Sequence, residues 1–346
     1  MKTTTIQPMP PERLLELDNV HVHFTMREGL VKAVNGVSYH VNRGEVLGIV
    51  GESGSGKSVT ARSIMKLLAR NAIEAEGRIR FRPKPESEID ISALSRQSRE
   101  MRALRGGSIG MIFQEPMTAL SPVHSIGTQI MRTVMLHRGV GKQAARQRAI
   151  ELLERVQLPK PAEMVDRYPH QLSGGMRQRA MIALALSCDP SLLIADEPTT
   201  ALDVTTEAQI LELLKSLQEE MGMAIIFITH NFGVVADIAD RVAVMYLGRV
   251  VETGSVDDIF YRPGHPYTRA LLQSIPKLGQ APMRRLRTIP GMVPDPFNIP
   301  EGCVFNPRCA HAVLGTCNVE APSVVSFPGE QSVRCHFAGQ LPEEVQ

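Results

Sequence analysis

The chain has 346 residues, of which 43% are apolar and 21% charged, and its formal charge is +2. That balance belongs to a folded globular protein long enough for about two domains, and it excludes a disordered chain. So small a charge, with no basic tract interleaved with aromatics, also sets nucleic acid aside as a partner. No apolar run reaches the ~18 residues of a bilayer crossing. The N-terminus, MKTTTIQPMPPERLLELDNV, is polar and Pro-rich where a signal peptide would be apolar. A cytosolic chain, soluble or peripheral, is expected, and that disfavours disulfides among its five cysteines.

Residues 15–50 read as strands: LELDNVHVHF alternates apolar and polar, and GEVLGIV is a buried run ending at Gly51. KSVTARSIMKLLA then has helical spacing directly after a glycine loop. From Gln114 to Pro190 the chain is mostly helical, with GKQAARQRAIELLERVQL and GGMRQRAMIALALSC as the clearest segments, which predicts a helical subdomain over about 115–190. LLIAD and AIIFIT are apolar runs separated by the amphipathic TTEAQILELLKSLQEEM. That is a βαβ unit, hence a parallel sheet covered by helices. From about residue 262 Pro becomes frequent, helical periodicity fades after Leu272, and cysteines appear. The expected division is therefore 1–261 and 262–346, with a linker near Gly279 to Met283.

GESGSGKS, Gly51 to Ser58, fits G-x4-G-K-[ST] between a predicted strand and a predicted helix. Gly54 and Gly56 let backbone N–H groups turn inward around phosphate oxygens, the helix N-terminus adds its positive end, Lys57 reaches the terminal phosphates, and Ser58 ligates Mg2+. Glu52, Ser53, Ser55 and Val59 complete the stretch expected to touch the nucleotide. LLIADEP places Asp196 and Glu197 at the end of a buried strand, on the edge where phosphate loops open. Asp196 is expected to hold Mg2+ through water, and Glu197 to polarise the attacking water.

LSGGMRQR, Leu172 to Arg179, opens the helix ahead of that strand. With it the chain resembles the ABC ATPase family, whose signature is LSGGQ; Met176 departs from the pattern outside the Ser-Gly-Gly core, and SGGMRQR resembles the form found in D-type ATPase subunits of peptide importers. Ser173, Gly174 and Gly175 begin a helix, so their N–H groups and hydroxyl form an anion site. The resemblance implies that the anion is ATP held by the other subunit's phosphate loop, two ATPs being sandwiched in a head-to-tail dimer. It further implies that Gln114, in IFQEPMTALSP, touches Mg2+ and the attacking water and leads to the surface meeting the membrane subunits. Ala201 to Asp203 would form the loop across the dimer interface, His230 after Thr229 would bind the γ-phosphate, and Phe24 would stack on adenine. The implied fold is α/β: an ABC-type P-loop nucleotide-binding domain with a mainly parallel central sheet, an antiparallel β part and a helical subdomain, plus a small irregular Cys-containing C-terminal extension.

YRPGHPYTRALLQSIP and RTIPGMVPDPFNIPEGCVFNPRCAHA resemble the C-terminal extension of ATPases from dipeptide, oligopeptide and nickel importers. Cys303, Cys309, Cys317 and Cys335, spaced C-x5-C-x7-C-x17-C, are soft ligands without a C-x2-C knuckle. The resemblance points to a [4Fe-4S] cluster there, with Zn2+ or no metal as the alternatives. Cys188, on the helix after the signature, reads as a small buried hydrophobe. The expectation is an ATP- and Mg2+-dependent importer ATPase, peripheral on the cytoplasmic face of a bacterial inner membrane. Its implied partners are two transmembrane permeases, a second ABC ATPase subunit and, indirectly, a periplasmic substrate-binding protein. Importers of nickel, opines or oligosaccharides, and a soluble non-transport ABC ATPase, are the alternatives.

Overall fold

Residues 9–200, 202–275 and 288–341 are described in the computed structural model of the chain; Ala201 and the linker expected near Gly279 to Met283 lie outside them. The alternating segment predicted first is a long strand, β1 (Arg13–Thr25), paired antiparallel with β2 (Leu30–Asn42). The apolar run that follows is β3 (Val46–Val50), buried along its whole length, and it feeds the phosphate loop and α1 (Lys57–Ile64). β4 (Ala72–Lys84) returns antiparallel to β1 and pairs with β5 (Ser87–Asp90). Helix α2 (Arg99–Leu104) and strand β6 (Ile109–Ile112) lead into the helical part: α3 (Pro116–Ala119), α4 (Ile126–Arg138), α5 (Lys142–Arg155), α6 (Pro161–Met164) and α7 (Gly174–Ala185). The chain then alternates through β7 (Leu192–Asp196), α8 (Val204–Met221), β8 (Ala224–Ile228), α9 (Phe232–Ile238) and β9 (Arg241–Tyr246). β10 (Arg249–Ser255), α10 (Val256–Tyr261), α11 (Pro266–Gln273) and the short strands β11 (Val325–Ser326) and β12 (Ser332–Val333) complete it.

Two sheets result. One is antiparallel, in the order β2-β1-β4-β5; the other runs β11-β12-β10-β9-β3-β8-β7-β6, and its stretch from β9 to β6 is parallel. This is the α/β architecture expected, with a largely parallel central sheet beside an antiparallel one. Buried residues from both sheets, including Leu15, Val22, Val34, Ile49, Ile194 and Ile226, form one core with Ile64 of α1. A second core joins the other face of the parallel strands to α4, α5, α7 and α8 through Ile130, Leu152, Ile182, Leu193 and Leu214. Each such side chain contributes about 1.5–3 kcal/mol by leaving water, so the helical part is welded to the sheet at its inner end.

The C-terminal segment is continuous with the sheet: β12 pairs antiparallel with β10, and Val304, Phe305 and Tyr267 share a core with Val50, Val244 and Tyr246. The helix predicted from Lys57 stops at Ile64, because Lys66 takes a left-handed backbone at φ 48°. The signature helix likewise ends at Ala185, so Cys188 lies in the turn beyond it, half-buried with its Sγ 3.8 Å from the Thr133 carbonyl. Among the described residues no helix is long and apolar enough to cross a membrane.

Candidate active site

The carboxyl ends of β3, β8, β7 and β6 lie on one edge of the sheet, because these strands are neighbours and parallel. Loops leaving such an edge are free to carry chemistry while the strands hold them rigidly. After β3 the chain turns through Gly51 to Gly56. A Cβ at Gly51, where φ is +153°, would sit 2.1 Å from the Met245 carbonyl oxygen; one at Gly56, where φ is +97°, would sit 2.4 Å from that of Ala33. Only glycine fits either place, and the loop thereby lies against β9 and β2 with α1 starting at Lys57. Lys57 is buried and donates to the carbonyls of Gly51 (2.7 Å) and Glu52 (3.1 Å). Burial pushes its ammonium down, while the charges of Glu197, Asp196 and Glu52 push it back up. Ser55 is buried with its hydroxyl unpartnered within the loop. Ser53 and Gly54 are exposed, and Val59 packs against the core beneath the loop.

Ser58, the second residue of α1, donates to Oδ1 of Asp196 at 2.7 Å. Asp196 is wholly buried, its carboxyl raised first by burial and lowered in part by Ser58 and by Arg62, whose guanidinium stands 4.0 Å away. Its second oxygen, Oδ2, has no hydrogen-bond partner. A buried, unpartnered carboxylate oxygen beside a serine hydroxyl is a hard, all-oxygen pair of the kind that Mg2+ takes together with water and phosphate, so the residues fit the ion.

Glu197 follows directly, with φ +49°, a left-handed backbone that a Glu adopts only at a cost of about 1–3 kcal/mol. Its carboxylate has three side-chain neighbours. Gln114 Nε2 donates to Oε2 at 3.1 Å and Thr200 Oγ1 donates to it at 3.0 Å, while His230 Nδ1 lies 3.5 Å from Oε1. Gln114 comes from the loop after β6 and His230 from the loop after β8, so three strand ends supply one carboxylate with its neighbours. Thr229 is buried and its hydroxyl accepts from the Asn231 N–H at 3.0 Å, fixing the turn that presents His230.

Ser173 caps α7, its hydroxyl accepting from the Met176 N–H at 3.3 Å. Only the backbone of Met176 takes part, which explains why its side chain can differ without disturbing the cap. Ser173 and Gly174 are exposed, and Gly175 lies close to Thr206 at the start of α8. Asp203 caps α8 through the Thr206 N–H (3.0 Å) and hydroxyl (2.7 Å), so the start of the signature helix stands beside the start of α8. These bonds hold the Asp203 carboxyl below the usual range. Phe24 is half-buried near the end of β1, opposite Ala72, and packs on the core between the sheets.

Two side chains reach the phosphate loop from the C-terminal segment, and neither was singled out from the sequence. Tyr267 accepts the Glu52 N–H at 3.0 Å, and Arg308 forks onto both Glu52 carboxylate oxygens at 2.7 and 3.1 Å. The HPYT stretch prepares this contact. Glu252 on β10 accepts the N–H groups of Gly264 (2.6 Å) and His265 (2.9 Å), and His265 Nδ1 then accepts the Tyr267 N–H at 3.0 Å, capping α11.

Cys303, Cys309, Cys317 and Cys335 line one cavity with His265, His311 and His336. Burial raises the thiols of Cys303, Cys309 and Cys335, that of Cys309 to about 11. Among the described residues, however, no three His, Cys, Asp or Glu side chains form a set able to hold a metal ion. The donors have the soft chemistry that a [4Fe-4S] cluster or Zn2+ demands but not the geometry, so the placement does not support the metal expected there.

Residues 34–200 match the ABC transporter family, and residues 251–317 match the oligopeptide/dipeptide transporter C-terminal region. The dipeptide transport ATP-binding protein DppD of Escherichia coli (strain K12) is 47% identical over 324 residues, covering 94% of this chain and 96% of its own. The oligopeptide transport ATP-binding protein OppD of Bacillus subtilis (strain 168) is 52% identical over 311 residues, 90% of this chain and 85% of its own. The dimeric post-hydrolysis structure of the ATP-binding cassette MJ0796, bound to ADP and Pi, superposes with a TM-score of 0.62 at 30% identity, over 70% of this chain and 99% of that one.

Proposed function

The chain belongs to the ABC transporter family, and from that premise we propose that it is the ATP-binding, ATP-hydrolysing subunit of an importer of dipeptides or oligopeptides. One observation carries the reading: the Ser58–Asp196 pair and the Glu197 carboxylate, with Gln114, Thr200 and His230 around it, stand on the same sheet edge as the glycine loop. The C-terminal region of the peptide-transporter type supports the substrate class.

In the proposed mechanism the loop from Gly51 to Ser58 cradles the β- and γ-phosphates with backbone N–H groups and Lys57, and Phe24 stacks on adenine. Ser58 and Asp196, with Gln114 alongside, would hold Mg2+, which supplies positive charge to the phosphate oxygens when bound. Glu197 orients the attacking water and takes its proton. Gln114 and Thr200 fix the carboxylate, and His230 faces the γ-phosphate side. Ser173, Gly174, Gly175 and Asp203 serve the nucleotide of a second subunit, in a head-to-tail dimer that closes on two ATPs and moves a pair of permeases. The second ATPase is a related chain in this proposal, a periplasmic binding protein delivers the cargo, and the assembly sits on the cytoplasmic face of a bacterial inner membrane. Residues 1–261 act as the cassette and 262–346 as the extension docked on it.

No step runs through a metal at the four cysteines. Iron, zinc and sulfide analysis of anaerobically purified protein decides whether that cavity closes on one. The function itself is tested by affinity purification from solubilised membranes: two hydrophobic permeases come down with the chain, and the complex in proteoliposomes hydrolyses ATP faster when peptide-loaded binding protein is added. Ribosomal proteins or DNA in place of the permeases would refute it.

A further inference from the structure

Glu52 is an anionic side chain inside a loop that reads as a cradle for polyphosphate. Its charge is among those that act on Lys57, the residue expected to meet the terminal phosphates. Left unpaired, such a carboxylate would repel the nucleotide and compete for the lysine. Arg308, 256 positions away in sequence, forks onto both of its oxygens. The guanidinium is itself held from three directions: its Nε donates to the Pro290 carbonyl at 3.1 Å, its Nη1 to the Tyr246 hydroxyl at 3.3 Å, and its centre stands 5.8 Å from the Tyr246 ring. The Arg308 side chain is only 4% exposed and that of Glu52 28%, so the guanidinium is shielded while the carboxylate keeps one side open to water. Tyr267 grips the backbone of the same residue by accepting the Glu52 N–H, and its ring is packed 4.6 Å from Tyr246 and 5.3 Å from Phe305. Side chain and main chain of one phosphate-loop residue are thus both tied to the C-terminal segment.

We propose that Arg308 and Tyr267 are positioning residues for the nucleotide site: by neutralising and fixing Glu52, the docked C-terminal segment sets the affinity of the phosphate loop for ATP. This rests on the reading of Gly51 to Ser58 as the ATP site. A bare anchor, by contrast, would join the segment to the cassette without regard to the Glu52 charge.

The test uses the full chain with a fluorescent ATP analogue, and steady-state hydrolysis with the second cassette added where pairing needs it. Arg308→Met, which keeps the buried bulk, weakens analogue binding and raises KM for ATP about tenfold, with kcat within about twofold of the wild type. Adding Glu52→Gln removes the exposed charge and recovers most of that loss, and the gap between the single and double variants narrows as salt is raised. Equal weakening in both variants, or no weakening in Arg308→Met, would overturn the proposal. Tyr267→Phe keeps the ring packing and removes the acceptor; it raises KM about threefold with only a small drop in melting temperature, which serves if Arg308→Met does not fold, and an unchanged KM counts against it. Wild-type protein that binds no analogue would instead bring down the ATP-site reading itself.

Discussion

Glu197 shows how much one side chain can be read for. Its place after the buried Asp196 was legible from LLIADEP, because an apolar strand ending in two carboxylates is a local pattern. Gln114 and His230 were legible only through resemblance, since they come from other strands, and the structure brings both to the Glu197 carboxylate. Thr200 carried no such signal although it is only three residues away, because the sequence does not show where the second of two adjacent threonines points its hydroxyl. Arg308 and Tyr267 carried none for a different reason: their partner Glu52 lies more than two hundred positions upstream, and no periodicity spans such a gap. From this geometry Glu197→Gln should retain ATP binding, since Ser58, Asp196 and Lys57 are untouched. The carboxamide keeps the shape but takes no proton, so turnover should fall about 10²- to 10⁴-fold. Equilibrium nucleotide binding and phosphate release on one preparation check both halves, and undiminished hydrolysis would refute the role.

Helices and strands were legible where their period was strong, and their ends were set by local stereochemistry that composition does not display. The helix from Val204 to Met221 begins one residue before the expected segment because Asp203 caps it, while the helix from Lys57 is cut short by a left-handed lysine. The segment HPYT was visible as a motif, yet its work emerges only from its contacts. His265 is buried and must accept the Tyr267 N–H on Nδ1, so the folded state requires it neutral, and burial depresses its pKa from 6.5 to about 3. The unfolded chain takes up the proton near 6.5 and the folded one does not, so the stability that His265 contributes is complete above 6.5 and is lost as pH falls toward 3. At about 1.4 kcal/mol per pH unit, roughly 2 kcal/mol is lost between pH 6.5 and 5. Glu252, whose carboxyl burial raises, acts in the opposite direction in acid. His265→Asn keeps a capping acceptor without the titration. Its melting temperature should therefore fall less steeply than that of the wild type between pH 7 and 5, and parallel profiles would contradict this role for the histidine.

At the scale of the molecule, alternation of strand and helix was enough to expect a parallel sheet with a helical part beside it, and both are present. The C-terminal segment was legible as a change of composition near residue 262 but not as an extension of the sheet. β12 contributes only Ser332 and Val333 to its pairing with β10, too short a stretch for any alternation to register. The four cysteines were legible as a group and line one cavity, whereas spacing carried no information on whether their sulfurs close into a ligand set.

One consequence of the exposed signature belongs to the whole assembly. Ser173 and Gly174 are exposed at the start of α7 beside Asp203, and in the proposed dimer they meet the nucleotide of a neighbour. The rate of ATP hydrolysis per protomer, measured against protein concentration with light scattering to report mass and with the second cassette added where it is needed, tests this directly. The rate should vanish on dilution to monomers and rise with the fraction of paired cassettes. A rate per protomer that stays constant in a species shown to be monomeric would contradict it.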